Sequence, residues 1–171
     1  MANAFESGER KVIPAVLVYL QKGDEFLMIH RGSRPGDFHS GMWNGLGGKC
    51  DEDESSLETA RREVQEESGL EVPLDLFKSM GVLQFPNFKP HKAEDWMVFV
   101  FRADVSNISM KSLVTESEEG SLHWVSESKL TELNLWEGDR IFLPWVLSAR
   151  PFLGTFWYQD RKLDRHWITG I

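Results

Sequence analysis

The sequence predicts one domain, spanning residues 1–171, in which α-helices are combined with β-strands. A length of 171 residues allows one substantial core, and 41% hydrophobic with 12% aromatic residues fits a globular protein. Several short apolar segments rich in β-branched and aromatic residues are bounded by turn residues, which is typical of strands. One longer stretch without glycine or proline carries the start and stop signals of a helix. No repeat, linker or low-complexity tract divides the sequence.

The first predicted elements are two strands that form a hairpin. Residues 12–20 are apolar and β-branched, residues 21–24 have turn chemistry, and residues 25–30 continue as a second strand. An exposed loop is expected over residues 31–42, because this segment holds three glycines, one proline and few apolar residues. It leads into a glycine-rich turn at residues 43–48, where the backbone could approach a metal or a phosphate closely.

The best-defined helix is predicted at residues 56–68. Ser55 and Glu58 form a capping-box pattern at its start. No proline or glycine follows until Gly69, which suits the residue just after a helix end.

This helix carries an apolar stripe beside a sector of negative charge. At 100° per residue, Glu63, Glu66 and Glu67 lie within a sector about 100° wide. Carboxylates at this spacing repel one another unless cations or protons lie between them. Hard divalent cations prefer oxygen ligands, so the pattern predicts a divalent metal site. The adjacent apolar stripe consists of Leu57, Ala60 and Val64.

After the helix, two strands are predicted at residues 76–85 and 96–105. An irregular segment with Pro86 and Pro90 separates them and could form a rim or a lid of a binding site. Its basic residues, Lys89, His91 and Lys92, could contact phosphate or a polynucleotide, with an ordinary polar loop as the alternative. An acidic loop at residues 115–119 precedes a short strand at residues 122–125.

The C-terminal part is predicted to contain a helix and a second hairpin. Residues 136–139 read as a short turn followed by the helix, with Pro144 in its first turns, where proline is tolerated. Strands at residues 152–158 and 162–168 then form an aromatic-rich hairpin.

Composition restricts the partners and the location. The formal net charge of −8 argues against broad electrostatic attachment to nucleic acid or to an anionic membrane. A polyphosphate substrate would therefore need metal ions as intermediaries. The single cysteine, Cys50, cannot form an internal disulfide, and no secretory signal is visible, so a cytoplasmic location is expected.

The acidic stretch also matches a complete family motif. Gly48 is followed after five residues by Glu54 and after seven more by the run from Arg62 to Leu70, REVQEESGL. At average residue usage this arrangement has a probability on the order of 10⁻⁸ in one chain. It is similar to the Nudix box, and nearly the whole chain resembles the MutT branch of the Nudix family. That resemblance implies an α/β fold, the Nudix α/β/α sandwich around a mixed sheet.

The resemblance also implies a magnesium site, with manganese as a substitute. In that family the helix glutamates hold the metal, assisted by a glycine carbonyl, and an arginine orients the cluster. A further loop carboxylate joins the metal or acts as base, and Glu119, five residues before Trp124, is the best match, with Glu116 and Glu118 as alternatives. The matching positions for the metal are Gly48, Glu63, Glu66 and Glu67, with Arg62 as the orienting residue.

Substrate-binding residues follow from the same resemblance. Asn44, Trp136 and Asp139 match positions that recognise a purine base in related enzymes. An asparagine can donate to and accept from a purine edge, and a tryptophan can stack on the ring. The chain departs from a paired-acid pattern because Gly138 stands beside Asp139, which weakens the expectation of tight selectivity for oxidised bases. Arg31 matches a position that contacts phosphate.

The activity implied is hydrolysis of a purine nucleoside triphosphate, of the (d)GTP or 8-oxo-dGTP type, to the monophosphate and pyrophosphate. Two alternatives stay open: a pyrophosphohydrolase acting on RNA 5′-triphosphate ends, and a non-catalytic nucleotide-binding module. No membrane partner is expected, and the oligomeric state is open.

Overall fold

The computed structural model describes residues 1–32 and 35–171, and a mixed β-sheet is its central element. The sheet follows the order β3-β2-β1-β6-β5-β8-β9, with β4 paired to β1 and β7 paired to β2. The strands are β1 (Lys11–Lys22), β2 (Glu25–Arg31), β3 (Trp43–Asn44), β4 (Leu46–Lys49), β5 (Phe77–Lys89), β6 (Glu94–Asp104), β7 (Gly120–Ser126), β8 (Phe152–Gln159) and β9 (Lys162–Gly170); the α-helices are α1 (Ser56–Ser68) and α2 (Glu137–Leu147).

The two helices cover opposite faces of the sheet. Strand β1 runs parallel to β6, and β5 runs parallel to β8, while the other strand pairs are antiparallel. Ala60 and Val64 of α1 belong to one hydrophobic core cluster, and Phe142 and Val146 of α2 belong to the other. This arrangement confirms the predicted α/β sandwich around a mixed sheet.

Helix α1 has the bounds that the sequence predicts. Ser55 accepts a hydrogen bond from the Glu58 backbone N–H, and the Glu58 carboxylate accepts from the Ser55 backbone N–H. Gly69 follows the helix with a φ of 75°, a left-handed conformation that glycine adopts without steric cost. The helix is therefore fixed at both ends by its local sequence.

The predicted irregular segment between β5 and β6 is largely wrong. Strand β5 continues through Pro86 to Lys89, and β6 already begins at Glu94. A register shift between Phe85 and Lys89 places Pro86 where the ladder is interrupted, so its missing N–H breaks no pair. Asn87, at a φ of 53°, donates its backbone N–H to Asp95 at 2.6 Å and stabilises the irregularity.

The start of α2 also differs from the prediction. Trp136 is the extended residue before the helix, so residues 137–139 form its first turn instead of a separate turn. Pro144 consequently lies in the C-terminal half of the helix, not in its first turns. Its carbonyl accepts from the Ser148 backbone N–H at 3.1 Å.

The glycine-rich run contains two short strands that the sequence does not predict. Strand β4 pairs with β1 so that Gly47 lies opposite Leu17. A Cβ atom on Gly47 would lie 2.1 Å from the Val16 carbonyl oxygen, and its φ is 156°. Only glycine allows this approach, which brings the strand before α1 directly onto the central sheet.

Within the described ranges, no helix is both long and apolar enough to cross a membrane.

Candidate active site

A cavity of about 970 Å³ brings together nearly all of the residues that the sequence singles out. Carboxylates of α1 and of the loop before β7 line it together with aromatic side chains from five other segments. Arg62 does not line the cavity but contacts two of the glutamates that do. The predicted site residues that line it are Arg31, Asn44, Gly48, Glu63, Glu66, Glu67, Glu119, Trp136 and Asp139.

Glu67 is the most deeply buried of the three helix glutamates. Its side chain is only 6% exposed, and it accepts a hydrogen bond from the Gly47 backbone N–H at 3.0 Å. Burial raises the pKa of Glu67 to about 8, with the charges of Glu63 and Glu119 adding to the effect. A buried carboxyl among other carboxylates therefore stays protonated near neutral pH unless a cation joins it.

Glu63 lies against the backbone of the glycine run. A Cβ atom on Gly48 would lie 2.3 Å from the Glu63 Oε1 atom, so no larger residue fits at position 48 without displacing the carboxylate. Burial raises the pKa of Glu63, and hydrogen bonding to Arg62 opposes this shift. Glu66 is exposed beside them, and its carboxylate lies 3.2 Å from the Arg62 Nη1 atom.

Arg62 connects the helix to the loop before it. Its guanidinium donates to both oxygens of Glu54, at 2.8 and 2.9 Å, and to Glu63 at 2.9 Å. It also donates to Glu66 at 3.2 Å and to the Lys49 carbonyl at 3.1 Å. Paired hydrogen bonds of this kind fix the orientation of an arginine. The hydrogen bonds from Arg62 lower the pKa of Glu54 to about 2.

Glu54 is a positioning residue that sequence reasoning missed, although it belongs to the matched motif. The signal was its fixed spacing of eight residues from Arg62, which brings the two side chains together once α1 starts at Ser56.

Glu119 lines the same cavity as the helix glutamates and forms an ion pair with Arg31. Arg31 also lies 3.6 Å from Asp37, while its Nε atom is buried without a hydrogen-bond partner among the described residues. Of the two alternative loop glutamates, Glu118 also lines this cavity. Glu116 instead belongs to an isolated bridge opposite Ser121. The structure thus brings Glu118 and Glu119 to the cavity together.

The carboxylates do not form a closed metal cage. Across residues 1–32 and 35–171, no three acidic, histidine or cysteine side chains converge closely enough to hold a metal ion. These carboxylates nevertheless fit a hard divalent cation, because they offer only oxygen ligands. Glu67 is buried, and no neighbouring positive charge is strong enough to keep its carboxylate ionised. Arg62 and Arg31 hold the other carboxylates at the cavity edge.

The aromatic part of the cavity is built around Trp136. Phe38 stacks on its indole at 4.9 Å, and Tyr158 meets it edge-on at 6.0 Å. The Trp136 Nε1 atom donates to His39 Nδ1 at 3.0 Å, so His39 is neutral in this contact. Burial, together with the charge of Arg31, lowers the pKa of His39 to about 4. The loop that the sequence predicts as exposed therefore contributes Phe38 and His39 to the lining of the cavity.

Asp139 and Asn44 supply polar atoms to the same cavity. Asn44 lies on β3, and Asp139 lies in the first turn of α2. Burial raises the pKa of Asp139 to about 7, and Arg140 opposes this shift.

Sequence reasoning missed the aromatic cavity residues that come from distant strands. Tyr158 of β8, Phe85 of β5 and Trp96 of β6 all line it. Lys49 and Lys89 also line it, and their ammonium groups lie 5.4 and 4.6 Å from the Trp96 ring centre. No local motif marks these positions, because strand pairing alone brings them together.

Comparisons with known proteins agree with this geometry. The NUDIX domain profile matches residues 11–146. The chain is 34% identical over 160 residues to an oxidized purine nucleoside triphosphate hydrolase of Danio rerio, covering 90% of this chain and 94% of that protein. A Mus musculus protein of the same name is 34% identical over 130 residues, 76% of this chain and 78% of its own length. The crystal structure of a MutT protein from Bacillus halodurans superposes with a TM-score of 0.78 at 28% identity, covering 91% of this chain and 97% of that one.

The fold and the site define a hydrolase with an acidic helix beside a cavity that is lined by carboxylate and aromatic side chains. The chain belongs to the Nudix family, and the MutT-like fold and enzyme class predicted from the sequence are confirmed.

Proposed function

We propose that this enzyme hydrolyses a purine nucleoside triphosphate, of the (d)GTP or 8-oxo-dGTP type, to the monophosphate and pyrophosphate in the presence of Mg²⁺. The observation that carries the proposal is that the helix glutamates and the residues Asn44, Trp136 and Asp139 line one continuous cavity. A nucleotide can therefore occupy the polar and the aromatic parts at once. The names of the mouse and zebrafish relatives support the same substrate class.

The residues that would hold Mg²⁺, or Mn²⁺ in its place, are Glu63, Glu66, Glu67 and Glu119 with the Gly48 carbonyl. Bound there, the ion would neutralise phosphate charge and lower the pKa of a coordinated water.

The protein's own groups would prepare this chemistry. Arg62 holds Glu63 and Glu66 in fixed orientations through direct hydrogen bonds. Glu67 or Glu119 would accept the proton of the attacking water, and Arg31 would exchange its contact with Glu119 for a phosphate oxygen. Trp136 would stack on the base, while Asn44 and Asp139 would bind its polar edge.

Glu66→Gln and Glu67→Gln test the chemistry. Each variant keeps the side-chain size but removes the charge, so kcat in Mg²⁺ should fall about a thousandfold. Circular dichroism should show an unchanged fold, and Glu71→Gln, at an exposed glutamate just beyond α1, should keep normal turnover. Near-normal turnover by both site variants would contradict the assignment.

A substrate panel tests the specificity. The kcat/KM values for 8-oxo-dGTP, dGTP and RNA with a 5′-triphosphate should favour the free nucleotides. A tenfold preference for the RNA would replace this proposal with an RNA-end pyrophosphohydrolase. Failure to hydrolyse any phosphoanhydride would indicate a binding module, and product analysis in oxygen-18 water would identify the phosphorus attacked.

A further inference from the structure

Arg161 connects the turn between β8 and β9 to the loop that carries Phe38. Its Nη2 atom donates to the Phe38 carbonyl oxygen at 2.7 Å. The guanidinium also lies over two aromatic rings, 4.6 Å from the centre of the Phe38 ring and 5.2 Å from that of Trp136. A planar guanidinium can stack on aromatic rings and donate hydrogen bonds in its own plane at the same time. One side chain therefore holds both the backbone and the ring of Phe38.

The two rings that Arg161 contacts belong to the cavity, but Arg161 itself does not line it. The Phe38 ring lies 4.9 Å from the Trp136 ring and within 15° of parallel to it. The next residue, His39, accepts a hydrogen bond from Trp136 Nε1 at 3.0 Å and also lines the cavity. Arg161 is exposed, so it can act on the cavity only through the residues that it holds.

The backbone of Arg161 has a conformation that a long side chain disfavours. Gln159 pairs with Lys162, so Asp160 and Arg161 form a two-residue hairpin turn, and their φ angles are 49° and 68°. Glycine is the residue that adopts such left-handed angles without steric cost, and it is common in turns of this kind. A glycine at position 161 could not reach Phe38. The strained position is therefore the one that makes the contact, which points to a role for this side chain.

We propose that Arg161 is a positioning residue of the candidate active site, which holds Phe38 against Trp136 and so keeps the loop at residues 35–42 in the lining of the substrate cavity. The hairpin of β8 and β9 lies outside residues 11–146, which the NUDIX profile matches. The contact therefore adds a support for the cavity that the acidic motif does not contain.

Loss of this contact should affect binding more than catalysis. Without it, the Phe38 ring is free to leave Trp136, and the aromatic part of the cavity loses a side. The helix glutamates keep their orientation, because Arg62 holds Glu63 and Glu66 by direct hydrogen bonds. Substrate and transition state are then bound more weakly to the same extent, so KM rises while kcat is maintained. This consequence rests on the proposed function, whereas the contact of Arg161 with Phe38 does not.

Limited proteolysis with chymotrypsin tests the contact without any substrate. Chymotrypsin cleaves after aromatic residues, and the Phe38–His39 bond becomes accessible when the loop opens. In Arg161→Gly, cleavage at this bond, identified by mass spectrometry, should be about tenfold faster than in the wild-type protein, because one hydrogen bond and the ring contacts are lost. The melting temperature should change by less than about 3 °C, since relief of the strained turn offsets the lost contact. Asp160→Gly is the matched control, because it relaxes the same turn and keeps Arg161, and its cleavage rate should equal that of the wild type.

Steady-state hydrolysis of dGTP by the same proteins tests the consequence for the cavity. Arg161→Gly should raise KM about tenfold and change kcat by less than about twofold, while Asp160→Gly should leave both unchanged. Arg161→Lys keeps the positive charge but cannot stack and donate in one plane, so its KM should remain roughly threefold or more above that of the wild type.

The assignment is overturned if Arg161→Gly matches the wild type in either its cleavage rate or its KM, or if Asp160→Gly has the same effects. Full rescue of KM by Arg161→Lys would also overturn it, because charge alone would then explain the role of Arg161. A wild-type protein that hydrolyses no dGTP would instead refute the proposed function, and proteolysis alone would then decide whether Arg161 holds the loop.

Discussion

Replacing Asp139 with asparagine should remove a pH-dependent loss of stability. In the folded protein burial raises the pKa of this carboxyl to about 7, from an ordinary value of 3.8. Between about pH 4 and 7 the unfolded chain therefore releases the Asp139 proton while the folded chain keeps it. Because the folded state binds more protons in this window, its free energy of unfolding falls as the pH rises.

The size of the effect follows from the two pKa values. A tenfold change in acid dissociation corresponds to about 1.4 kcal/mol, so a fully enclosed carboxyl would lose about 4 kcal/mol across the window. Between pH 4.5 and 7.5 the same two pKa values give a loss of about 3 kcal/mol, because part of the change lies outside this range. The charge of Asp139 acts on two phenols, Tyr19 and Tyr158. Burial raises the pKa of both, so neither phenol titrates between pH 4 and 7.

Urea unfolding of the wild-type protein and Asp139→Asn at pH 4.5, 6.0 and 7.5 measures this difference. The stability of the variant relative to the wild type should rise by about 3 kcal/mol from the lowest to the highest pH. Asp164→Asn, on the exposed strand β9, is the matched control, and its difference from wild type should not change with pH. A pH-independent difference for Asp139→Asn would refute the reasoning.

Two further predictions concern the scaffold and the aromatic wall. Gly81→Ala should lower the free energy of unfolding, measured in urea, by about 3 kcal/mol, because Gly81 has a φ of 129° and a Cβ atom there would lie 1.7 Å from the Phe152 carbonyl oxygen. Gly32→Ala is the control, since the space around Gly32 is open, and should change the free energy of unfolding by less than about 0.5 kcal/mol. Equal effects of the two substitutions would contradict the packing argument. The His39 imidazole should titrate by NMR with a midpoint near 4, since burial and Arg31 favour its neutral form. Stability then declines as the pH falls below about 6.5, where the unfolded chain takes up the proton first; a His39 midpoint near 6.5 would contradict the buried contact with Trp136.

Local signals predicted some parts of this molecule and not others. Helix α1 could be delimited to the residue because Ser55, Glu58 and Gly69 act within a few positions of one another. The hairpin of β1 and β2 was predicted correctly as two strands, but the strands pair directly only beside their turn, at Gln21 and Lys22. Farther along, β4 takes the place next to β1, and no local pattern contains that information.

The residues of the candidate site also fall into those that local sequence predicts and those that only strand pairing brings together. The carboxylates of α1 and Arg62 are close in sequence and in space, so their spacing alone indicates a common chemistry. Tyr158 reaches the cavity only because β8 pairs with β5 and α2 begins next to it. The failed prediction for Pro86 has a similar origin, because the register shift that accommodates it depends on the partner strand.

The parallel pairing of β1 with β6 has a consequence for folding during synthesis. Lys11 lies opposite Glu94 and Gln21 opposite Asp104, so the pair closes a loop that contains the whole of α1. Long-range parallel pairing of this kind slows folding, because the entropy of loop closure precedes any gain from packing. Until β6 has been synthesised, one edge of β1 is unpaired and α1 lacks part of the surface on which it packs. We therefore expect the carboxylate cluster to acquire its final geometry late, after the ribosome has released the middle of the chain.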